Sequence, residues 1–552
     1  MKKLTALLLA LLMVFAFAAC TNDEPANNEG NNEPNTENNG NNEENNTSDE
    51  VNEITVIWQA EPNTLDPVFS GQMYGDNIFE LVFDRMVGYK ESETGAPVLT
   101  DWGLSKSWEN VDELTWRFYL YDNVKFQDGE PLTTEDVVYT FERTVDPELG
   151  AAGNYQYAYP ALFLDEMVVI DDYTIEFKTS QPVVLFPDWM KEFFIFPKHY
   201  YEANEVDFLS INPMGSGPYK MTEYKLNELL VLERDDNYWN DQYRGYLDKI
   251  TFRFAAEAAT RVAELVTGNA DIIDKVELTQ KTAVEDGGMN FVEIASGTRE
   301  YIGLVQYNNK HLTVKELRQA INYAVDWDTI ANTLMGGYSV GNRLRSFAPT
   351  QIQDEDIHQY TYDVAKAQEL MASVGYKDND GDGFVEDANG NAFELTIAVN
   401  ATNVMRKDYT QAVAQYMSEA GIKTNVDLVD WNTFTVDLQA KNISQELYVI
   451  GSGPAFEISG DATDLYYASS ANYVNWINDE YTELYEELGT CFDTERRAEI
   501  GHRLQEIAAE EAPWIFLYSP ALYYGVSNRV EWTPMANGRT FLREAKVVGY
   551  EY

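Results

Sequence analysis

Leu114-Thr115-Trp116-Arg117-Phe118-Tyr119-Leu120, followed by Thr133-Thr134-Glu135-Asp136-Val137-Val138, is the stretch on which the reading of the fold turns. The first run is rich in aromatic residues at alternate positions and reads as a strand. The second opens a helix, because Thr133 is a natural N-cap and Glu135 and Asp136 stand in the first turn, where the helix dipole favours acids. Downstream, Val168-Val169-Ile170 and Tyr173-Thr174-Ile175-Glu176-Phe177 read as two strands joined at Asp171-Asp172. Upstream, Glu53 to Trp58 alternates like a strand and leads into Glu61 to Pro67, a loop with two prolines. Strand-like and helix-like segments go on alternating to the end without a repeat.

The second half is plainly α/β. Thr313-Val314-Lys315-Glu316 has the form of a capping box, and Leu317, Ile321 and Ala324 then share one helical face. Asp363 caps a helix whose Val364, Ala367, Met371 and Val374 align before Gly375 stops it. Phe393 to Val399 is a strand, Asp408 to Ala420 a helix ended by Gly421, and Lys423 to Leu428 a strand. Strand, helix, strand implies a parallel pair with a right-handed crossover. A ligand would then sit beyond the carboxyl ends of such strands, at loops such as Asn400 to Asn403.

The start of the chain is of another kind. Lys2 and Lys3 precede an apolar run from Leu4 to Phe17, and Ala18-Ala19-Cys20 follows, which is the pattern of an export signal. The run is too short and wrongly flanked for a spanning helix. Thr21 to Glu50 is dominated by Asn and Glu, has almost nothing to bury, and reads as a solvated tether. About 500 residues remain, enough for two to four domain-sized units.

Charge and cysteine content exclude several functions. The formal charge is −53; residues 1–50 hold two Lys against nine acids, a net −7, so −46 remains on the body of the chain. Such a body repels phosphate backbones, which excludes nucleic acid as a partner. The aromatic content of 13%, with 36 tyrosines, suits packed interiors and ligand clefts alike. The only cysteines are Cys20 and Cys491. Cys491 is alone in the body of the chain, which therefore has no disulfide of its own, and Leu484-Leu488-Cys491 reads as a helical face burying a small hydrophobe. His199, His311, His358 and His502 lack metal-ligand spacing, and neither Gly-x-Ser-x-Gly nor a Gly-rich phosphate loop occurs. No catalytic constellation is legible. Asp378-Asn379-Asp380-Gly381-Asp382-Gly383-Phe384-Val385-Glu386 does have the acid spacing and sixth-position glycine of an EF-hand loop. Asp378, Asp380, Asp382 and the Phe384 carbonyl are candidate ligands for a structural calcium, the one metal expected. Position twelve is Asn389, so the site needs Glu386 or Asp387 to complete it.

Ser107-Trp108, Thr115-Trp116-Arg117-Phe118 and Asp122 to Thr133 together resemble the signature of family 5 extracellular solute-binding proteins. Gly215-Ser216-Gly217-Pro218-Tyr219-Lys220, Asp236-Asn237-Tyr238-Trp239 and Glu316 to Ala324 extend the resemblance in the same order, over nearly everything from residue 54 onward. Gln127 and Tyr121 depart from the family's usual His and Arg. Phe17-Ala18-Ala19-Cys20 likewise resembles a lipoprotein box, cut before Cys20, whose thiol would take a lipid. The resemblance implies an α/β fold of two lobes around a cleft, like periplasmic binding proteins, with a two-strand hinge and a subdomain inserted in the first lobe. It implies a signal peptide at 1–19 and a lipidated Cys20 with its tether at 20–50. The first lobe is then expected at 51–85, 209–300 and 514–552, the inserted subdomain at 86–208 and the second lobe at 301–513.

What the resemblance implies for function is a lipid-anchored receptor on the outer face of the cell membrane, without a reaction of its own. It would capture a peptide-like solute and deliver it, as a monomer, to the permease and ATPase subunits of an ABC importer. The family's peptide receptors hold the ligand ammonium with an Asp in a Gly-Trp-x-x-Asp stretch; here Gly451-Ser452-Gly453-Pro454-Ala455 replaces it. Glu457 or Asp461 takes over that role, or the ligand has no free N-terminus there. Ser452, Gly453 and Phe456 would line the same loop. Arg343, Arg345 and Arg406 are candidates for a ligand carboxylate. Tyr74, Asp76, Asn403 and Trp431 complete the expected contacts, with helix capping the competing role for Asp76 and packing for Trp431. The rival readings are an oligosaccharide receptor of the same fold, a surface adhesin and a glycan hydrolase.

Overall fold

The computed structural model describes residues 52–70, 73–91, 97–150, 154–296, 298–334, 357–452, 460, 462–535, 539–550 and 552. The export signal, Cys20 and the tether lie outside them, as do Arg343, Arg345, Gly453, Phe456, Glu457 and Asp461.

Glu53–Trp58 pairs in parallel with Lys249–Phe254, Glu53 opposite Lys249 and Trp58 opposite Phe254. It is the centre of a seven-stranded sheet in the order Asn290–Ala295, Ala521–Val526, Ile272–Ile273, Glu53–Trp58, Lys249–Phe254, Leu229–Arg234, Tyr219–Lys225. A second sheet of five strands runs Lys423–Val429, Glu394–Asn400, Leu447–Ser452, Arg299–Leu304, Trp514–Tyr518. Glu394–Asn400 and Lys423–Val429 are parallel and joined by the helix Val404–Glu419, the expected crossover unit. A four-stranded antiparallel sheet, Ser105–Asp112, Thr115–Leu120, Thr174–Thr179, Leu164–Asp171, forms the body of the inserted segment.

Local chemistry accounts for the element ends. Thr133 accepts from Glu135 N while Asp136 reaches back to Thr133 N, so the helix Thr134–Thr144 starts with a true capping box. Asp363 accepts from Lys366 N and caps Val364–Ser373, and Gly375 follows with φ +91°. The capping box expected at Thr313 does not form. Val314 occupies the cap of Lys315–Ala324 with no side-chain bond, because the Thr313 hydroxyl donates instead to Lys310 O within a 3₁₀ turn. The helix expected from Asp408 begins at Val404, where the Asn403 side chain accepts from Arg406 N. Cys491 is not a buried hydrophobe: Asp479–Thr490 ends before it, and its thiol is part-exposed near Asp493 O.

An aromatic core joins the seven-stranded sheet to the inserted segment. Phe141 stacks on Phe193 at 4.5 Å, and Phe79 and Phe83 pack edge-on against Phe194 and Phe196. Each such side chain, fully buried, stabilises the fold by about 1.5–3 kcal/mol. The helix Met73–Val82 is docked onto this core by backbone contact: Gly217 N donates to Val82 O, and a Cβ at Gly217 would lie 2.5 Å from the Val82 carbonyl carbon. Only glycine permits that approach.

Candidate ligand cleft

Among the described residues the chain passes from the first large sheet to the second between Ala295 and Arg299 and returns at 519–520. Asn290–Ala295 pairs with Ala521–Val526 in the first sheet, and Arg299–Leu304 pairs with Trp514–Tyr518 in the second. The Ser519 hydroxyl lies against the carbonyls of Ser296 and Thr298, and Ser296 N donates to Pro520 O. Among the described residues the backbone thus links the two sheets at two adjacent places tied at one serine, and Trp514–Tyr518 belongs to the second lobe's sheet.

A cleft of about 730 Å³ opens between the lobes beside these crossings, within the range of small-ligand sites. The first lobe supplies Trp58, Tyr74, Asn77, Asp274, Tyr523 and Thr540, and the second Leu334, Val404, Met405, Asp408 and Tyr518. Trp58 and Asp274 stand at or just past the carboxyl ends of Glu53–Trp58 and Ile272–Ile273, where α/β sheets place their ligands. Val404, Met405 and Asp408 come from the first turns of the crossover helix, for the same reason.

Buried hydrogen bonds hold the floor. Tyr74 OH donates to Asp274 Oδ2 at 2.6 Å, Gln59 N donates to Oδ1 at 2.8 Å, and Arg261 Nε lies 3.6 Å from Oδ1. Burial and the adjacent Asp274 charge push the Tyr74 hydroxyl far up, so it stays protonated as the donor. Burial also raises the Asp274 carboxyl, against the opposing pull of Tyr74 and Arg261. Lys275 adopts a left-handed φ of +47°, and its carbonyl accepts from Arg261 Nη2 at 3.0 Å. Strained backbone of this kind persists only where its surroundings hold it. Tyr74 also packs against Trp58, ring centroids 5.3 Å apart.

Of the residues singled out from sequence, Tyr74 lines the cleft. Asp76 lies in the first turn of Met73–Val82, is 8% exposed, and pairs with Arg539 at 3.2 Å. Asn403 caps the helix whose next residues reach the cleft. Arg406 is held bidentately by Glu300, at 2.9 Å and 2.5 Å, and Tyr409 OH donates to the same carboxylate. Burial works against the Arg406 charge, but Glu300 outweighs it and raises the guanidinium pKa. Trp431 stacks on Phe434 at 5.7 Å, and Ser452 Oγ donates to Asp464 at 2.8 Å, which also binds Arg299. Both arginines are thus engaged by protein carboxylates. Trp58, Asp274, Met405, Asp408 and Thr540 were not found from sequence. They come from distant segments and share no motif; the strand-end position of Trp58 was the one available signal.

The acidic loop follows the helix Val364–Ser373 and precedes Glu394–Asn400. Carboxylate oxygens of Asp378, Asp380, Asp382 and Glu386 all lie within 4.8 Å of one another. Asp378 accepts from Gly381 N and Gly383 N, and Asp382 from Phe384 N, which sets the loop's curvature. Of the two acids considered for completing the set, Glu386 joins the cluster. Asp387 is turned to Asn389, Asn391 and Lys310.

Two α/β lobes joined by paired crossings, with a cleft lined from both sides, define a binding protein of the solute-receptor class. The middle-region model of the bacterial extracellular solute-binding proteins, family 5, matches residues 100–473, and the chain belongs to that family. It is similar to the oligopeptide-binding protein AppA of Bacillus subtilis (strain 168), 24% identical over 549 residues, 96% of each chain. The structure of that AppA with a nonapeptide has a TM-score of 0.68, covering 90% of this chain and 99% of that one at 24% identity. HbpA2 from Haemophilus parasuis gives 0.77 at 21% identity, covering 90% and 99%. The relatives are named as binding proteins, and the family is one of binders rather than enzymes. No helix among the described residues is long and apolar enough to cross a membrane.

Proposed function

We propose that this protein is the substrate-binding receptor of an ABC importer, taking a peptide-like solute into the cleft and presenting it, as a monomer, to the permease. The observation that carries this reading is the cleft itself, built from both lobes and placed beside two short crossings, where a hinge closes on ligand. The naming of AppA as an oligopeptide-binding protein supports peptide as the solute. Native mass spectrometry of the purified protein tests it. A retained peptide is the expected result, and a retained oligosaccharide would replace the peptide reading.

In the same reading Cys20 is the lipidated mature N-terminus that ties the receptor to the outer face of the membrane, as Leu4 to Cys20 suggests. Cys20→Ala should then move the protein to the soluble fraction in detergent-free fractionation; retention on the membrane would refute the anchor. The loop at Asp378, Asp380, Asp382, Phe384 and Glu386 is a structural calcium site in this proposal. Four carboxylates within 4.8 Å of one another repel, and a hard divalent cation with oxygen ligands relieves that.

A further inference from the structure

The second lobe touches the inserted segment of the first through a pair of aromatic rings. Phe492 stacks on Trp116, ring centroids 6.3 Å apart and planes inclined by 29°. Phe492 stands in the turn between the helices Asp479–Thr490 and Thr494–Glu511 and is 40% exposed, so its own lobe does not bury it. The turn itself is braced. Asp493 caps the second helix by accepting from Glu495 N at 2.9 Å and Arg496 N at 3.0 Å, and Arg496 grips Glu487 on the first helix through Nε at 2.7 Å and Nη2 at 2.8 Å. Trp116 is held as firmly by its own segment. Its backbone pairs with Asn110 on one side and Phe177 on the other, its Nε1 donates to Val183 O at 3.0 Å, and its ring stacks on Phe186 at 6.4 Å.

With each ring fixed in its own lobe, the contact depends on how the two lobes stand. Neither residue lines the cleft or lies on the crossings, so both bear on a solute only through the arrangement of the lobes. Swinging the lobes apart about the crossings would separate the rings and return apolar ring surface to water. The stacked pair therefore belongs to the arrangement in which both lobes line the cleft.

We propose that Phe492 and Trp116 form a latch that favours the closed arrangement of the lobes, with the inserted segment as its receiving half. Both are positioning residues. Losing an aromatic pair of this kind should lower the ratio of closed to open forms about 2- to 12-fold. Because the latch does not touch the solute, it acts alike on every solute the cleft accepts, through the closed population. Pulsed electron paramagnetic resonance on the full chain tests this without knowledge of the solute. Cys20→Ala and Cys491→Ser remove the native thiols, and Leu226→Cys on the first lobe and Val436→Cys on the second, at side chains 70% and 65% exposed, carry the two spin labels. Adding Phe492→Ala to this labelled protein should move population from the short to the long interlobe distance by about 2- to 12-fold, and Phe492→Tyr, which keeps the ring, should leave the distribution as it is with Phe492. An unchanged distribution in Phe492→Ala, or a shift toward the short distance, overturns the latch. The same shift in Phe492→Tyr overturns it too, since the ring would then not be its cause. None of these outcomes touches the receptor reading, which the retained solute tests.

Discussion

Replacing Asp84 with Asn should destabilise the first lobe more than a typical substitution in this chain. The carboxylate is fully buried and accepts from Tyr238 OH at 2.9 Å, Trp239 Nε1 at 2.7 Å and Arg543 Nη2 at 3.1 Å. Arg543 in turn donates to Glu80 O and Phe83 O, and its side chain is 4% exposed. Asparagine removes the counter-charge and leaves a guanidinium uncompensated in the core, which costs about 3–5 kcal/mol. With an unfolding entropy of about 2.1 cal/mol/K per residue, roughly 500 residues give about 1 kcal/mol/K, so the melting temperature should fall by about 3–5 °C if the body unfolds as one unit. Arg543→Met should cost a similar amount, and the double variant less than the sum, with a coupling of about 2–3 kcal/mol. Urea and thermal unfolding followed by circular dichroism measure all four corners of the cycle. Additivity within about 0.5 kcal/mol, or a shift below about 1 °C for Asp84→Asn, would refute the reasoning.

Burial pushes the Glu192 carboxyl up, but Arg539, Lys191 and Arg85 together bring it from its ordinary 4.5 down to about 2. A depressed folded-state pKa contributes stability above the unfolded value and loses it as pH falls, so on the order of 3 kcal/mol should disappear between pH 4.5 and pH 2. Glu192→Gln should lose that part of the pH dependence in unfolding titrations; identical slopes in both proteins would show that Glu192 is not its source. Phe492 of the second lobe stacks on Trp116 of the inserted segment with ring centroids 6.3 Å apart. An aromatic pair of this kind is worth about 0.5–1.5 kcal/mol, so Phe492→Ala should weaken ligand binding by about 2- to 12-fold in calorimetry, and unchanged affinity would mean the contact does not help hold the lobes together. Calcium at about a hundred times its dissociation constant adds about 2.7 kcal/mol to stability, hence a rise of about 2–3 °C in melting temperature that EDTA reverses. Asp378→Asn with Asp382→Asn should remove the rise, and a curve indifferent to calcium and EDTA would leave the loop a plain turn.

The regular elements were legible wherever one face of an element is apolar toward a core. Glu53–Trp58 and the hairpin pairing Val169 with Ile175 follow the alternation in the sequence, and Val364–Ser373 begins and ends at the residues that cap it. The reading failed where an element turns a face toward the cleft. Val404 and Met405 are exposed there, so they break the core periodicity, and the helix begins four residues before the point that periodicity indicates. Arg406 illustrates a different limit. Its guanidinium is plain in the sequence, but its partner Glu300 stands 106 residues away on the strand Arg299–Leu304, a pairing that only the fold brings about. Thr313 shows a third, since a cap-like spacing was diverted by a 3₁₀ turn that satisfied the hydroxyl first.

The most recognisable motifs turn out to hold the fold together. Gln127, which stands where the family usually has His, donates its amide toward the carbonyls of Val82, Gly217 and Tyr219, tying the Gly215 to Tyr219 turn to the end of the helix Met73–Val82. Tyr238 and Trp239 hold Asp84, and Arg318 and Asn322 bind Glu511 and the Trp514 carbonyl. Each of these is a buried or half-buried polar group whose loss would leave a partner unsatisfied, so its side-chain type is dictated by the fold whatever the ligand. Trp58 Nε1, Thr540 Oγ1 and Asp408 are under no such constraint, because none of them bonds to a described part of the chain. A motif can therefore identify the receptor and say little about its cargo, whereas the groups left unpaired on the cleft wall are free to differ between receptors that take different solutes.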